Sequence, residues 1–309
     1  MGSFAGLLKR EWLEHRGAFT WVPAALLGII LLAGISAVTI NNHVETTFSD
    51  QDRVELQQKL GEEAGEDAGF LESVAAMALD VAGSTDAELG KKMRMLLDGV
   101  AQPFHLVFIL VAFFALVAGL YDERKDQSVL FWKSMPVSNW QTVASKLVFV
   151  VWCAPLVTVA AIIVAQFFII SLTSIFVEEG MGGRVWSASE VWLRPFGLIV
   201  HYLLLGLWAL PFCGWVLLIS ASVSRIPILW IIGVPWLLFL LESILVGSNV
   251  LGQAAAVHFK FLASSPSAGG ATLFSELAML AEPGMWAGMI IGLILLAGAV
   301  YFRGVNNEI

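Results

Sequence analysis

Charged side chains are scarce in this sequence. Only 14% of its 309 residues are Asp, Glu, Lys or Arg, whereas 58% are hydrophobic, and soluble domains carry about 25% charged residues. The mean hydropathy of +0.80 is correspondingly high. This composition excludes an ordinary soluble domain and a disordered chain, and it indicates a membrane protein.

Cysteines and catalytic motifs are also few. The two cysteines, Cys153 and Cys213, both fall in apolar runs, so no external disulfide framework is indicated. The motifs G-x-x-x-x-G-K-[ST], G-x-S-x-G and H-E-x-x-H do not occur. We therefore expect no ATP hydrolysis by this chain, no bound cofactor or metal, and no serine- or zinc-hydrolase activity.

Long apolar runs are what the sequence does contain. About 20 helical residues cross the hydrocarbon core of a membrane, and five charge-free runs pass that length, while a sixth contains only Glu242. We predict an all-α membrane protein. The predicted transmembrane helices are residues 17–40, 102–121, 147–173, 195–222, 226–247 and 283–302.

Basic residues predict the orientation of these helices. Nine of the 17 Lys and Arg residues fall on short segments at one side: Lys9, Arg10, Arg16, Arg124, Lys125, Lys133, Lys146, Arg225 and Arg303. Because such segments stay in the cytoplasm, we predict a multi-pass protein of the bacterial inner membrane with both termini cytoplasmic.

Two longer segments are predicted on the other side. Residues 41–101 contain 13 acidic and five basic residues, a net charge of −8, and their apolar positions recur at helical spacing. Thr85 and Glu88 have the spacing of a capping box. We predict a small acidic helical domain there, and short re-entrant helices in the apolar segment 248–282.

The loop 122–146 interrupts the apolar runs with a charged, tryptophan-bearing stretch. Pro136 disfavours a helix at Met135, so a short amphipathic helix containing Val129–Trp132 should end there. Ser138 and Gln141 form a second capping-box pair before the next helix. Physical reasoning alone leaves two interpretations about equal: a handle for a cytoplasmic partner, or an interfacial loop that touches lipid headgroups.

The order of residues in this loop resembles the first cytoplasmic loop of ABC-2-type transporter permeases. The matching positions are Glu123, Val129–Trp132, Pro136, Ser138 and Lys146. Residues 1–16 also resemble the in-plane elbow helix of that family, because their apolar residues form one stripe, made of Phe4, Leu7, Leu8 and Trp12.

The resemblance implies a permease subunit of an ATP-driven exporter of the type V kind. A separate ATPase subunit, which would carry the ATP and Mg²⁺, is expected to dock on the coupling helix in this loop. A second permease subunit, the same chain or a sibling, is expected as the other partner, and no nucleic acid. The docking residues implied are Glu123, Arg124, Val129, Leu130, Trp132 and Lys133.

A few residues inside the spans have two interpretations each. Glu242, His201 and His105 are predicted near the outer ends of their helices, where they would line an outer vestibule or form hydrogen bonds between helices. A helix-packing face is predicted at Gly284, Gly288 and Gly292, within the chain or at a dimer interface. We also predict kinks at Pro155, Pro211 and Pro235.

Two other functional classes stay open. An ion-coupled secondary carrier usually places several ionisable residues at mid-membrane, and this sequence offers few. An intramembrane enzyme is disfavoured because Glu178, Glu179 and Arg184 approach the E-E-x-x-x-R pattern of CAAX-type proteases but have one residue too many between them.

Overall fold

The computed structural model describes residues 3–47, 84–134, 136–177, 180–264 and 276–306. Within these ranges the secondary structure is helical and contains no strand. Residues 48–83 of the predicted acidic domain and residues 265–275 of the predicted re-entrant segment lie outside them.

Twelve α-helices and two π-helical segments follow one another along the described chain. They are α1 (Ser3–Arg16), π1 (Gly17–Trp21), α2 (Val22–Thr47), α3 (Asp86–Lys125), α4 (Ser128–Ser134), α5 (Asn139–Val148), π2 (Phe149–Cys153), α6 (Ala154–Phe176), α7 (Gly182–Ala188), α8 (Arg194–Trp208), α9 (Leu210–Ser222), α10 (Pro227–Leu245), α11 (Val250–Leu262) and α12 (Pro283–Val305).

Five helical paths among the described residues are long and apolar enough to cross a membrane, and the number is six if the bent pair α8 and α9 forms one span. The chain is therefore an all-α, multi-pass membrane protein, as the apolar runs predicted. The 40 residues of α3 extend about 60 Å at 1.5 Å per residue, twice the thickness of the hydrocarbon core. This helix therefore protrudes from the membrane.

The start of α3 joins the predicted external domain to the second span. The helix begins at Asp86 rather than at residue 102, and Thr85 and Glu88 form the predicted capping box, with the Glu88 carboxylate accepting the Thr85 N–H at 2.9 Å. Pro103 lies inside the helix without ending it. The external helix and the membrane span are thus one element.

The N-terminal helix does not turn where an in-plane elbow was expected. Arg16 and Val22, on either side of π1, both keep helical backbone angles. Phe4–Ser36 is a single 33-residue path. Residues 17–21 thus continue the helix from α1 into α2.

Three prolines mark the irregular points of the bundle. Pro155 follows π2, whose wider turn accommodates the missing N–H. Pro211 is the second residue of α9, which is bent by 54° from α8. Pro235 lies inside α10 and cannot donate to the carbonyl of Ile231, and Trp215 Nε1 donates to that carbonyl instead, at 3.0 Å.

The core forms where α9 packs between α3 and α12. A Cβ on Gly292 would lie 2.7 Å from the backbone carbon of Leu210, and one on Gly214 would lie 2.7 Å from the Gly292 oxygen, so these helices touch backbone to backbone. By contrast α10 lies at the edge, with only Pro227 and Ile231 of its residues buried.

Hydrogen bonds and ion pairs bring five segments together at one end of the bundle: α1, α4, the start of α5, the end of α9 and the end of α12. We name the end of the bundle where these segments meet the terminal end.

Candidate functional site at the terminal end

Glu123 lies at the centre of the terminal end. It occupies the last turns of α3 and is 4% exposed. Its Oε1 lies 2.6 Å from Arg10 Nη2 and 3.1 Å from Lys146 Nζ, and its Oε2 lies 3.1 Å from Arg303 Nη2. The three cations come from α1, α5 and α12. A buried carboxylate needs such partners because desolvation penalises an unpaired charge.

A second carboxylate completes what we call the Glu123 cluster: Arg10, Glu11, Glu123, Lys146 and Arg303. Glu11 is 1% exposed, and both its oxygens lie within 3.3 Å of Lys146 Nζ. Arg303 also donates to Asn139 Oδ1 at 2.6 Å. Three cations and two carboxylates leave a net charge of only +1, so the cluster can be buried as a unit.

Arg124 points away from this cluster and joins α3 to α9. Its Nη2 donates to the carbonyls of Ser220 and Val223 at 2.8 and 2.6 Å. These two carbonyls lie at the C-terminal end of α9, where no later turn of the helix provides N–H groups to donate to them. The Ser220 hydroxyl donates to the Val117 carbonyl at 2.7 Å. The end of α9 is therefore fixed against α3.

The short helix α4 stands directly on the Glu123 cluster. Val129 faces inward and is 1% exposed, whereas Leu130 and Phe131 are 52% and 60% exposed. Trp132 is half-buried, and the Arg10 guanidinium lies 3.8 Å from its ring centre, within the range of a cation–π contact. Arg10 thus connects α4 to Glu123.

The structure changes which side chains α4 offers to a partner. Glu123, Arg124 and Val129, expected at a docking interface, are buried inside the chain. Leu130 is exposed as expected, and it is joined by Phe131, which the sequence analysis did not select. Lys133 belongs to α4, but its side chain lies outside the described part. Glu123 and Arg124 were expected to contact a partner because the resemblance implied it, whereas both side chains are buried inside the bundle at the end of α3.

A second polar group lies in the opposite half of the bundle. His201 Nδ1 is 2.8 Å from Glu276 Oε1, and His105 Nε2 donates to the Leu262 carbonyl at 2.9 Å. The two imidazole rings are 5.5 Å apart, and Tyr202 lies beside both. We call His105, His201, Tyr202 and Glu276 the histidine cluster. It fixes the end of α11 and the Glu276 segment to α3 and α8.

The structure brings His105 and His201 together but places Glu242 elsewhere. The Glu242 carboxylate accepts the N–H groups of Val250 and Leu251 at 2.6 and 3.0 Å, and the Ser248 hydroxyl at 2.8 Å. It thereby caps the first turn of α11, whose N–H groups have no partners within the helix. Sequence analysis missed Glu276, although it is the one acidic residue in the apolar piece ATLFSELAML.

Two of the three predicted packing glycines make contacts within the chain. Gly292 approaches the backbone of Leu210 and Pro211, and Gly288 faces the ring of His258. Nothing lies within 4 Å of the position that a Cβ on Gly284 would take. Gly288 and Gly292 on α12 therefore pack against other helices of the same chain.

One group among the described residues has the spacing of metal ligands: Glu11, Glu14 and His15, whose ligand atoms lie within 4.8 Å of one another. Lys146 Nζ already lies 3.1 Å from Glu11, and Arg10 lies 3.6 Å from Glu14. These cations occupy the carboxylates that a metal would need, so we assign no metal site here.

No family model, curated protein or solved structure matches this chain. Its function is therefore argued from its residues and their geometry.

Proposed function

We propose that this chain is the permease subunit of an ATP-driven ABC-2-type exporter in the bacterial inner membrane. In this proposal a separate ATPase subunit binds α4 as a coupling helix, and a second permease subunit completes the transporter. The observation that carries the proposal is the placement of α4: a short helix with two exposed apolar side chains, seated on a buried ion cluster that joins four helices.

The connections of α4 support this role. Only residues 126–127 separate it from α3, and residues 135–138 separate it from α5. A force applied to α4 therefore reaches two membrane-spanning helices through short connections. Through Arg10 and Glu123 it also reaches α1 and α12.

The mechanism proposed is a shift between two conformations of the bundle. A ligand or partner shifts such an equilibrium only by its differential affinity for the two states. The ATPase would hold α4 differently with and without ATP, and the bound ATP and Mg²⁺ would belong to that subunit. The Glu123 cluster would then keep α1, α3, α5 and α12 moving as one body.

An ion-coupled carrier is the second candidate function. It is favoured by the histidine cluster, because ionisable side chains buried in a membrane bundle mark ion and proton pathways by default. Transport by the two candidates differs in its energy source. An exporter of the proposed kind continues when an ionophore collapses the proton gradient and stops when ATP is depleted, and a carrier shows the reverse.

The proposal is tested by purifying the wild type, and a variant with charged residues introduced on α4, from native membranes. Leu130→Asp combined with Phe131→Asp should remove an ATPase subunit that co-purifies with the wild type, because buried apolar anchors in such interfaces contribute about 2 kcal/mol or more each. Met95→Asp is the matched control, since Met95 is 79% exposed but lies toward the other end of α3.

Three outcomes are informative. Loss of the ATPase in the α4 variant alone supports the proposal. Retention of a stoichiometric ATPase in that variant contradicts it. A wild type that co-purifies with no ATPase and whose Leu130 crosslinks to lipid would favour the interpretation of α4 as a lipid-contacting helix.

A further inference from the structure

Three irregular points of the bundle meet around one cavity. Its wall includes Val151 of π2, Ala209 at the break between α8 and α9, and Leu262 at the end of α11. The remaining side is formed by α3 over residues 108–116. Non-helical backbone at membrane depth is tolerated where protein buries it or where it lines a cavity, and π-helical turns occur frequently at functional sites.

The wall of this cavity is entirely apolar. It consists of Phe, Leu, Ile, Val, Ala and Gly side chains together with the buried thiol of Cys213. The cavity volume is about 40 Å³, more than the roughly 10–15 Å³ that one water needs, but a buried water also requires two or more polar partners. The chemistry of the wall therefore selects hydrocarbon over water.

One side of the cavity faces the surroundings of the bundle. The rings of Phe113 and Phe212 are stacked there at 6.0 Å, and both are half-buried. The opposite wall, with Phe108, Leu116 and Leu205, is buried. Because α3 is long and apolar enough to cross a membrane, a cavity that opens beside residues 108–116 of this helix is expected to meet the acyl chains of the bilayer.

We propose that this cavity is a binding site for the end of an acyl chain of a bilayer lipid, entering beside the stacked rings of Phe113 and Phe212. The chain end would contact the wall through dispersion alone, which accumulates over many close carbon contacts. It would lie against both π2 and the α8–α9 bend. Lipid bound there would oppose any change in the bend that closes the cavity.

Photo-crosslinking of the purified chain in nanodiscs tests this site. The probe is a phosphatidylcholine with a diazirine near the methyl end of one acyl chain. We expect adducts on residues of the cavity wall, among them Phe212 and Cys213. Ala112→Leu fills the cavity and should lower these adducts at least five-fold.

Two further variants keep the result interpretable. Ala160→Leu makes the same change at an exposed position of α6 and should leave the wall adducts unchanged. Phe113→Leu widens the entrance and should raise them. The proposal is overturned if the wall residues carry no adducts above those on exposed residues, or if Ala112→Leu and Ala160→Leu give the same yield. No ATPase is present in this experiment, so its outcome is independent of the transporter proposal.

Discussion

The Glu123 cluster and the histidine cluster are both buried and polar, but their carboxylates are paired to different degrees. Each carboxylate oxygen of Glu123 and Glu11 lies within 3.3 Å of a cationic nitrogen. In the histidine cluster, His201 Nε2 and Glu276 Oε2 have no hydrogen-bond partner among the described residues. In the Glu123 cluster every carboxylate oxygen is paired, although Arg10 Nη1 and Arg303 Nε have no partner among the described residues, whereas in the histidine cluster one of the two Glu276 oxygens is unpaired.

This difference indicates different roles. The Glu123 cluster joins four helices at the end of the bundle where α4 stands, so it suits a mechanical connection. The histidine cluster fixes two short segments to the bundle, the end of α11 through His105 and the Glu276 segment through His201. A partly satisfied polar network costs stability in a medium of low dielectric constant. The histidine cluster should therefore be replaceable by apolar side chains, whereas the Glu123 cluster should not.

The largest expected effect is at Glu123. Glu123→Gln leaves Arg10, Lys146 and Arg303 without their shared carboxylate charge, and removing one partner of a buried ion pair costs about 3–5 kcal/mol. We expect a loss of that order in the free energy of unfolding, measured by circular dichroism in mixed micelles.

Glu14→Gln is the control for this variant. Glu14 also pairs with Arg10, at 3.6 Å, but its side chain is 42% exposed, and exposed pairs contribute about 0–1 kcal/mol. Equal stability losses in the two variants would show that Glu123 is no more central than a surface residue.

An intermediate effect is expected at the His201–Glu276 contact. Glu276→Leu leaves His201 Nδ1 unpaired and should cost about 1–3 kcal/mol. Adding His201→Phe should restore most of this loss, because replacing a buried pair by packed apolar side chains is often neutral or stabilising. If the double variant is less stable than Glu276→Leu alone, the histidine cluster is not replaceable and the comparison fails.

The smallest effect is expected at Glu242, which lies in the same half but acts locally. Glu242→Gln keeps an acceptor for the N–H groups of Val250 and Leu251 and should leave thermal stability almost unchanged, whereas Glu242→Ala should lower it slightly. A change in transport with unchanged stability in Glu242→Gln would instead place this residue on a transport route.

The fold was largely predictable because its signals are local. The apolar runs predicted the five single helical paths and the bent pair α8 and α9, and two capping boxes were confirmed at Thr85–Glu88 and Ser138–Gln141, each within four consecutive residues. The kink predicted at Pro211 corresponds to the 54° bend between α8 and α9. The continuity of α1 with α2 was not predicted, because it depends on how a helix packs against its neighbours, which the periodicity of a single run does not contain.

The candidate site was predictable only in part. Glu123 and Lys146 were singled out through a resemblance, but Arg10 and Arg303 were used only to orient the chain. They lie 113 and 180 residues from Glu123 in sequence, and no local pattern signals that contact. A usable signal existed for Arg303, which directly follows a predicted span, where a buried carboxylate on a neighbouring span could meet it.

The central claim is that α4 is held by an ATP-hydrolysing subunit, and site-specific photo-crosslinking in intact cells tests it most directly. A photoreactive amino acid is placed at Leu130, with Met95 as the control position, and the adducts are sequenced. The proposal predicts a protein adduct at Leu130, absent at Met95, whose sequence contains G-x-x-x-x-G-K-[ST]. Adducts at Leu130 formed only with lipid, or with a protein lacking that motif, would contradict it.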